Sequence, residues 1–274
     1  MEVVSDLFIR HTLLRNRVPE LVDLTGYSNT NIKNIEYKSE YPQENIEYLT
    51  SVYPSNMSST FYNCDRIADW SWLNRMKTKY VTSMSSCFEG CCYISDVPYD
   101  LTLWDTSNVI SMSDMFRFNY SCTGINVSTW DVSKVTNFDY MFSQCDSITS
   151  LDLSNWDTKS ATSMNGIFYH LSKCKVLDIS NFDTRNISSQ PTLKWPGFSY
   201  TPLTYLIIGS RIFKMDKIPT NSYYLNTTCK ILVPSALLNT YKTATNWSSR
   251  ASQFDAIENY TIKRSNGQVT VTPK

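Results

Sequence analysis

The 274-residue sequence is poor in glycine, with 7, and in histidine, with 2. So little glycine leaves no material for glycine-rich phosphate cradles or for the close-turning loops of dedicated calcium sites. No GxSxG elbow, phosphate loop or dinucleotide fingerprint occurs either. His11 and His170 poorly supply a Ser-His-Asp or Cys-His nucleophile. Surplus charge is also missing: 25 basic residues face 25 acidic ones, and no block of like charge appears. A surface that neutralises nucleic-acid phosphates needs clustered Lys and Arg, so a nucleic-acid partner is not expected. Long apolar runs are absent as well. Tyr205-Leu206-Ile207-Ile208 is the strongest cluster, far short of the roughly 20 residues of a membrane span. The first ten residues, interrupted by Glu2, Asp6 and Arg10, do not read as a signal peptide. These absences together predict a protein without enzyme chemistry, cofactor, bound metal or membrane insertion.

What the sequence has is a period. Trp104-Asp105, Trp130-Asp131, Trp156-Asp157 and Phe182-Asp183 recur at a constant step of 26 residues. An aromatic-Asp pair repeated at that spacing marks stacked coils. A second ladder runs beside it: Met57-x-x-x-Phe61, Met84-x-x-x-Phe88, Met112-x-x-x-Phe116, Phe138-x-x-x-Phe142 and Met164-x-x-x-Phe168. Apolar residues at i, i+3 and i+4 predict one buried face of a short helix or 3₁₀ turn in each coil. Before each aromatic anchor, Tyr99-Leu101, Ile125-Val127, Leu151-Leu153 and Leu177-Ile179 alternate apolar, polar, apolar, the signature of a strand with one face inside. Tyr205-Ile207 and Ile231-Val233 continue the series, again 26 apart.

The flanks differ. Residues 1–55 are irregular and predict an N-terminal cap and docking segment, with residues 1–20 suited to a helix that docks on this chain or on a partner. Residues 229–274 predict a C-terminal capping module. Ser235 is its expected N-cap, Leu237, Leu238 and Tyr241 form an apolar helix face, and Ile257–Tyr260 pairs with Gln268–Val271 across Asn266-Gly267. Residues 56–228 between them form the repeat body.

Eight cysteines are present. Phe61/Cys64, Phe88/Cys91 and Phe142/Cys145 place three of them at one repeat position, which predicts reduced core thiols. Asp105, Asp131, Asp157 and Asp183 read as turn caps, with Lys134, Lys159 and Arg185 close by. His170 and Cys174 share a spacing of four, but two ligands do not make a zinc site. The outward strand residues Asp100, Asn126, Asp152 and Asp178, flanked by Thr102, Ser128, Ser154 and Ser180, form a polar row on which such proteins bind ligands. The variable returns carry Tyr93, Phe118, Tyr120, Tyr140 and Tyr169, a second set of candidates.

Leu-Asp-Leu-Ser-Asn-Trp-Asp-Thr-Lys-Ser-Ala-Thr-Ser-Met-Asn-Gly-Ile-Phe (151–168) and Ile-Leu-Val-Pro-Ser-Ala-Leu-Leu-Asn-Thr-Tyr-Lys (231–242) resemble the BspA-like leucine-rich-repeat surface proteins of bacteria, in their 26-residue branch. The resemblance implies an α/β repeat fold, a right-handed leucine-rich-repeat-type solenoid with short parallel strands and short helices, capped at both ends. It also implies adhesion or recognition and offers no catalytic residues. Similar repeats occur in bacteriophage appendage proteins. A virion fibre, receptor-binding or decoration protein is therefore expected, attached to virion or surface-assembly proteins through its N-terminal segment and recognising a host surface protein or glycan. A bacterial cell-surface adhesin and a purely structural virion component are the alternatives, and homo-oligomerisation stays open.

Overall fold

A computed structural model describes residues 3–4, 53–64, 70–91, 99–187, 197–211, 225–244 and 247–274. Of the expected N-terminal docking helix over residues 1–20 only Val3–Val4 is described, and it is a strand; the rest of that segment and Tyr93 lie outside the described residues. The fold is α/β, with a five-stranded parallel sheet and few short helices.

The strands fall where apolar-polar-apolar triplets predict them. β1 (Val3–Val4) pairs in parallel with β2 (Tyr53–Pro54), and β3 (Tyr99–Asp100) with β4 (Ile125–Asn126). β5 (Ser150–Asp152), β6 (Val176–Ile179), β7 (Tyr205–Ile208), β8 (Lys230–Val233) and β9 (Phe254–Ala256) form the larger sheet in that order. Leu151 is opposite Leu177, and Leu177 opposite Leu206. One expected register is corrected. Leu206, not Tyr205, stands opposite Ile231, while Tyr205 meets Lys230. The reason is burial: Leu206 and Ile231 point into the main core, whereas Lys230 is exposed.

The Met-x-x-x-Phe segments are not helical, which overturns the helix expected there. Each is a pair of tight turns. Thr60 N–H donates to Met57 O and Tyr62 N–H to Ser59 O, at 3.2 Å each, closing turns within the coil. The intervening amides point sideways. Ser59 N–H donates to Ser85 O at 2.9 Å, Phe61 N–H to Cys87 O at 2.8 Å and Asn63 N–H to Glu89 O at 2.7 Å. Turning the chain this way needs left-handed residues, with φ of 56° at Ser59, 55° at Asn63 and 75° at Gly90. The same apolar spacing serves either geometry, and lateral pairing decides between them. A second row of parallel bridges, Asn56–Ser83–Ser111–Asn137–Ser163, leads into these turns.

Between strands and turns lies one aromatic core. Phe61, Phe88, Phe116, Phe142, Phe168 and Phe198 stack in series, with centroids 5.1 to 6.3 Å apart. Trp104, Trp130, Trp156 and Phe182 form a parallel stack at 6.3 to 6.4 Å. Each Trp also donates Nε1–H to an earlier coil: Trp104 to Leu73 O, Trp130 to Leu101 O and Trp156 to Val127 O, at 2.8, 2.9 and 3.2 Å. The anchor thus supplies stacking area and satisfies a buried carbonyl.

The seven described cysteines are buried thiols. Cys91 Sγ donates to Phe61 O and Cys145 Sγ to Phe116 O, each at 3.0 Å. Asn119 and Thr201 make the corresponding bonds to Phe88 O and Phe168 O, at 2.7 Å each. This position selects a small donor. Burial pushes the Cys174 and Cys229 thiols up to about 12, which leaves them unreactive.

After β8 come a 3₁₀ turn, α1 (Leu238–Thr243) and β9. Tyr241 stacks on Phe254 with centroids 5.4 Å apart and donates its hydroxyl to Gly209 O, closing the core behind β8. Ser235 does not cap α1 with its side chain; its hydroxyl and amide both donate to Glu258. β10 (Tyr260–Ser265) and β11 (Gln268–Pro273) form an antiparallel hairpin. Its two-residue turn has φ of 50° at Asn266 and 72° at Gly267, both positive as a type I′ turn requires. The first hairpin strand therefore lies a few residues later than the expected 257–260. The hairpin does not extend the end of the sheet; it folds back across its outer face.

Candidate functional site

Two rows of predicted ligand-binding residues can be placed, one on the strand face and one along the turns. The strand row is organised as local caps. Asp100 Oδ1 accepts from Thr102 N–H at 3.2 Å and from its hydroxyl at 2.8 Å. Ser128 Oγ donates to Asn126 Oδ1 at 2.9 Å; Ser154 N–H and Ser180 N–H donate to Asp152 Oδ1 and Asp178 Oδ1 at 3.1 and 3.0 Å. Asp100, Asp152 and Asp178 thus close Asx turns with Thr102, Ser154 and Ser180, and Asn126 meets Ser128 through side chains.

The hairpin then covers most of that row. Arg264 donates to Asp178 Oδ2 through Nε at 2.9 Å and through Nη2 at 2.6 Å, and its Nε lies 3.8 Å from Asp152 Oδ1. Val269 N–H donates to Ser150 Oγ at 3.1 Å, and Asp152 N–H to Gly267 O at 2.8 Å. The turn sits where β4 and β5 are not joined by strand pairing. A Cβ on Gly267 would stand 2.4 Å from Ile125 O, so only glycine closes that approach. Further along, the outward positions become Ile207 and Leu232, buried with Val269 under the hairpin. Asp178 is 0% and Asp152 5% exposed. The expected open acidic face is corrected: among the four leading residues only Asp100 is exposed. Burial pushes the Asp178 carboxyl above its usual range, against the opposing pull of Arg264 and Ser180.

The aromatic-anchor carboxylates behave as turn caps. Ser107 N–H, Ser133 N–H and Arg185 N–H donate to Asp105, Asp131 and Asp183, at 3.1, 2.9 and 3.1 Å. The Ser133 hydroxyl holds the Asp131 carboxyl below its ordinary value, and the Arg185 guanidinium does the same for Asp183. Asp157 instead faces Lys159 at 3.1 Å and Arg211 at 3.5 Å. Lys134 Nζ donates to Asn108 Oδ1 at 2.8 Å and also favours the charged Asp131 carboxylate through its positive charge.

The turn edge is organised differently. Phe118, Tyr140, His170 and Tyr200 all have left-handed backbones, with φ of 62°, 54°, 59° and 60°. Bulky side chains rarely adopt that conformation, which Gly and Asn tolerate; Tyr140 stands where other coils place Ser59, Ser86, Asp114 and Gly166, and Phe118, His170 and Tyr200 where they place Asn63, Gly90 and Gln144. Tyr120 is 40% and Tyr200 59% exposed. Phe118 and Tyr140 share the Arg117 guanidinium, which lies 4.5 and 4.8 Å from their ring centroids and also donates to Asp114 at 2.9 Å. Tyr169, His170 and Tyr200 form the far half. His170 lies 5.2 Å from Tyr200 and 5.9 Å from Tyr169, and its Nδ1 is 2.8 Å from Asp146 Oδ1. His170 and Tyr200 were not singled out as ligand contacts in the sequence. Their signal is a ring standing where other coils place Asn63, Gly90 or Gln144.

Residues 55–181 match the sequence model of a family described as Mycoplasma protein of unknown function, DUF285. A comparison with curated proteins returned no match.

Proposed function

We propose that the chain is a non-enzymatic binding and adhesion module, carried as an appendage of a bacteriophage virion and recognising a molecule of the host surface through its turn edge. Residues 56–228 are read as a right-handed leucine-rich-repeat-type solenoid, residues 229–274 as a capping module with a fold-back hairpin, and residues 1–55 as the segment docked on the particle. The stacking of strands and turns at a nearly constant residue step supports the solenoid reading.

One observation carries the binding reading. Phe118, Tyr140 and Tyr200 keep large rings on left-handed backbone at the rim, where each costs on the order of 1–2 kcal/mol that Gly or Asn would save; His170 beside them belongs to a residue type that adopts this conformation more readily. Such strain, gathered on one surface, points to a role outside folding. The strand face offers no comparable surface, because the hairpin occupies it.

Labelled full-length protein is tested for adsorption to intact cells of the bacterium that carries or propagates it. Replacing Tyr169 and Tyr200 together by Asn should abolish adsorption, while Asp100→Lys on the strand face should leave it intact. If the double variant adsorbs like the parent, the edge is not the recognition surface. Mass spectrometry of purified particles checks the setting: the chain should be found in them, and its presence in the cell envelope alone would replace the virion reading with that of a bacterial surface adhesin.

A further inference from the structure

We infer that the far half of the turn edge, built on Asp146, Tyr169, His170 and Tyr200, is a subsite for a neutral carbohydrate chain. The inference rests on the edge being the recognition surface and adds the chemistry of what it recognises. The two halves of that edge differ. Around Phe118 and Tyr140 the guanidinium of Arg117 already lies over both rings, and Asp114 fixes it there. That half is occupied by the protein's own cation. Around Tyr200, the most exposed tyrosine of the described residues, the rings are open.

The polar groups beside those open rings are arranged for hydroxyls. Asp146 Oδ1 faces His170 Nδ1 at 2.8 Å, which fixes the imidazole with its Nδ1 proton towards the carboxylate. In its neutral form the imidazole then presents Nε2 as an acceptor. Asp146 Oδ2 makes no hydrogen bond among the described residues and is a second acceptor. The carboxylate and the imidazole are each about one-third exposed or less, so the pair is held in place yet reachable. Adjacent acceptors suit a ligand bearing several hydroxyl donors on one side, which a sugar ring has and a peptide backbone lacks. The same ring offers a C–H face to an aromatic plane. Tyrosine supplies such a plane at low cost in side-chain freedom. Asp146 repels phosphate and carboxylate, so an anionic polymer is disfavoured.

Neighbouring coils extend the subsite into a track. Gln144, His170 and Tyr200 occupy equivalent left-handed positions on successive turns, with φ of 60°, 59° and 60°, joined by the backbone bonds of Gln144 N–H to Tyr169 O and His170 N–H to Ser199 O, each at 2.8 Å. Rings and hydrogen-bonding groups therefore recur along the stack, the arrangement that a repeating chain of sugar units can follow.

The test uses full-length protein and the same cells, treated beforehand with periodate, which cleaves vicinal diols, or with protease. Periodate should abolish adsorption that depends on Tyr169 and Tyr200, and protease should spare it; loss under both marks a glycan carried on protein and also supports the inference. Loss under protease alone, with the dependence on the two tyrosines retained, overturns the carbohydrate subsite and leaves the edge reading standing. Adsorption that ignores both tyrosines overturns both. Tyr200→Asn suits the left-handed backbone and should fold; it should lower apparent affinity about thirtyfold, as loss of one hot-spot ring does. Tyr200→Phe keeps the ring plane and should retain most of the binding, and equal loss in both variants would argue against stacking.

Discussion

The strand face and the turn edge are built by the same repeat and end in opposite states. On the strand face, the polar outward residues become Ile207 and Leu232 as the sheet proceeds, and a hairpin from the end of the chain lies across them. On the turn edge, polar and small residues give way to Phe118, Tyr140, Tyr169 and Tyr200, and nothing among the described residues lies over Tyr200 as the hairpin lies over Asp178. A surface that becomes apolar and is covered serves stability. A surface that stays aromatic and open, at a backbone cost, does not. The acidic row, conspicuous in the sequence, therefore belongs to the fold, and the irregular rim carries the proposed recognition.

The largest test of that contrast is Arg264→Ala. Asp178 is fully buried and Arg264 is its ion-pair partner. Removing one member of such a pair leaves a buried charge uncompensated and should cost about 3 kcal/mol. The loss should appear in the denaturation midpoint, together with faster amide exchange in β10 and β11. An unchanged midpoint would mean that the hairpin merely rests on the sheet, and the strand face would return as a candidate surface.

Tyr200→Asn probes the other side and should move stability in the opposite direction. The residue is mostly exposed and its φ is 60°, a conformation in which Asn is at ease. A gain of up to about 1 kcal/mol is expected in the same denaturation measurement, accompanied by weakened adsorption. Stability gained while function is lost is the trade-off of a strained site. A destabilised Tyr200→Asn would show that the ring is needed for packing, and the strain argument would fall.

How much of this could be read beforehand follows from the range of each interaction. The strands at 125, 151 and 177, the aromatic stacks and the thiol positions depend on neighbours one coil away, so a fixed period reveals them. The Met-x-x-x-Phe segments read as helices in the sequence because i, i+3, i+4 spacing buries the same side chains in a helix and in serial left-handed turns. The decision lies with amides such as Phe61 N–H, which reach sideways to Cys87 O. A trace of it is visible in Asn63, Gly90, Asp114 and Gly166, residues that tolerate positive φ. The covering of the strand face rests on Arg264 meeting Asp178, 86 residues apart in the chain, and no periodicity encodes that contact. Its only hint was the change from Asp178 to Ile207 and Leu232, an outward apolar pair that had to be covered by something.

The smallest expected effect, and the most diagnostic in sign, comes from Asp178→Asn. Burial raises the Asp178 carboxyl above its ordinary 3.8, so the folded protein holds that proton more tightly than the unfolded chain does. The contribution of this group to stability is therefore greatest below 3.8 and declines as pH rises through its folded value. Asp183 has the opposite sign, because the Arg185 guanidinium depresses it below 3.8; its contribution is present above 3.8 and is lost as pH falls through the depressed value. Asparagine at 178 keeps an oxygen for Ser180 N–H and removes the buried charge, while Arg264, 37% exposed, can still be hydrated. The variant should melt at or slightly above the parent at neutral pH, by less than about 1 kcal/mol, and the two curves should converge below 3.8, where the parent carboxyl is protonated. A variant clearly weaker than the parent at neutral pH would mean that the ion pair outweighs burial. The hairpin would then be held chiefly by charge, and the apolar contacts of Ile207, Leu232 and Val269 would be secondary to it.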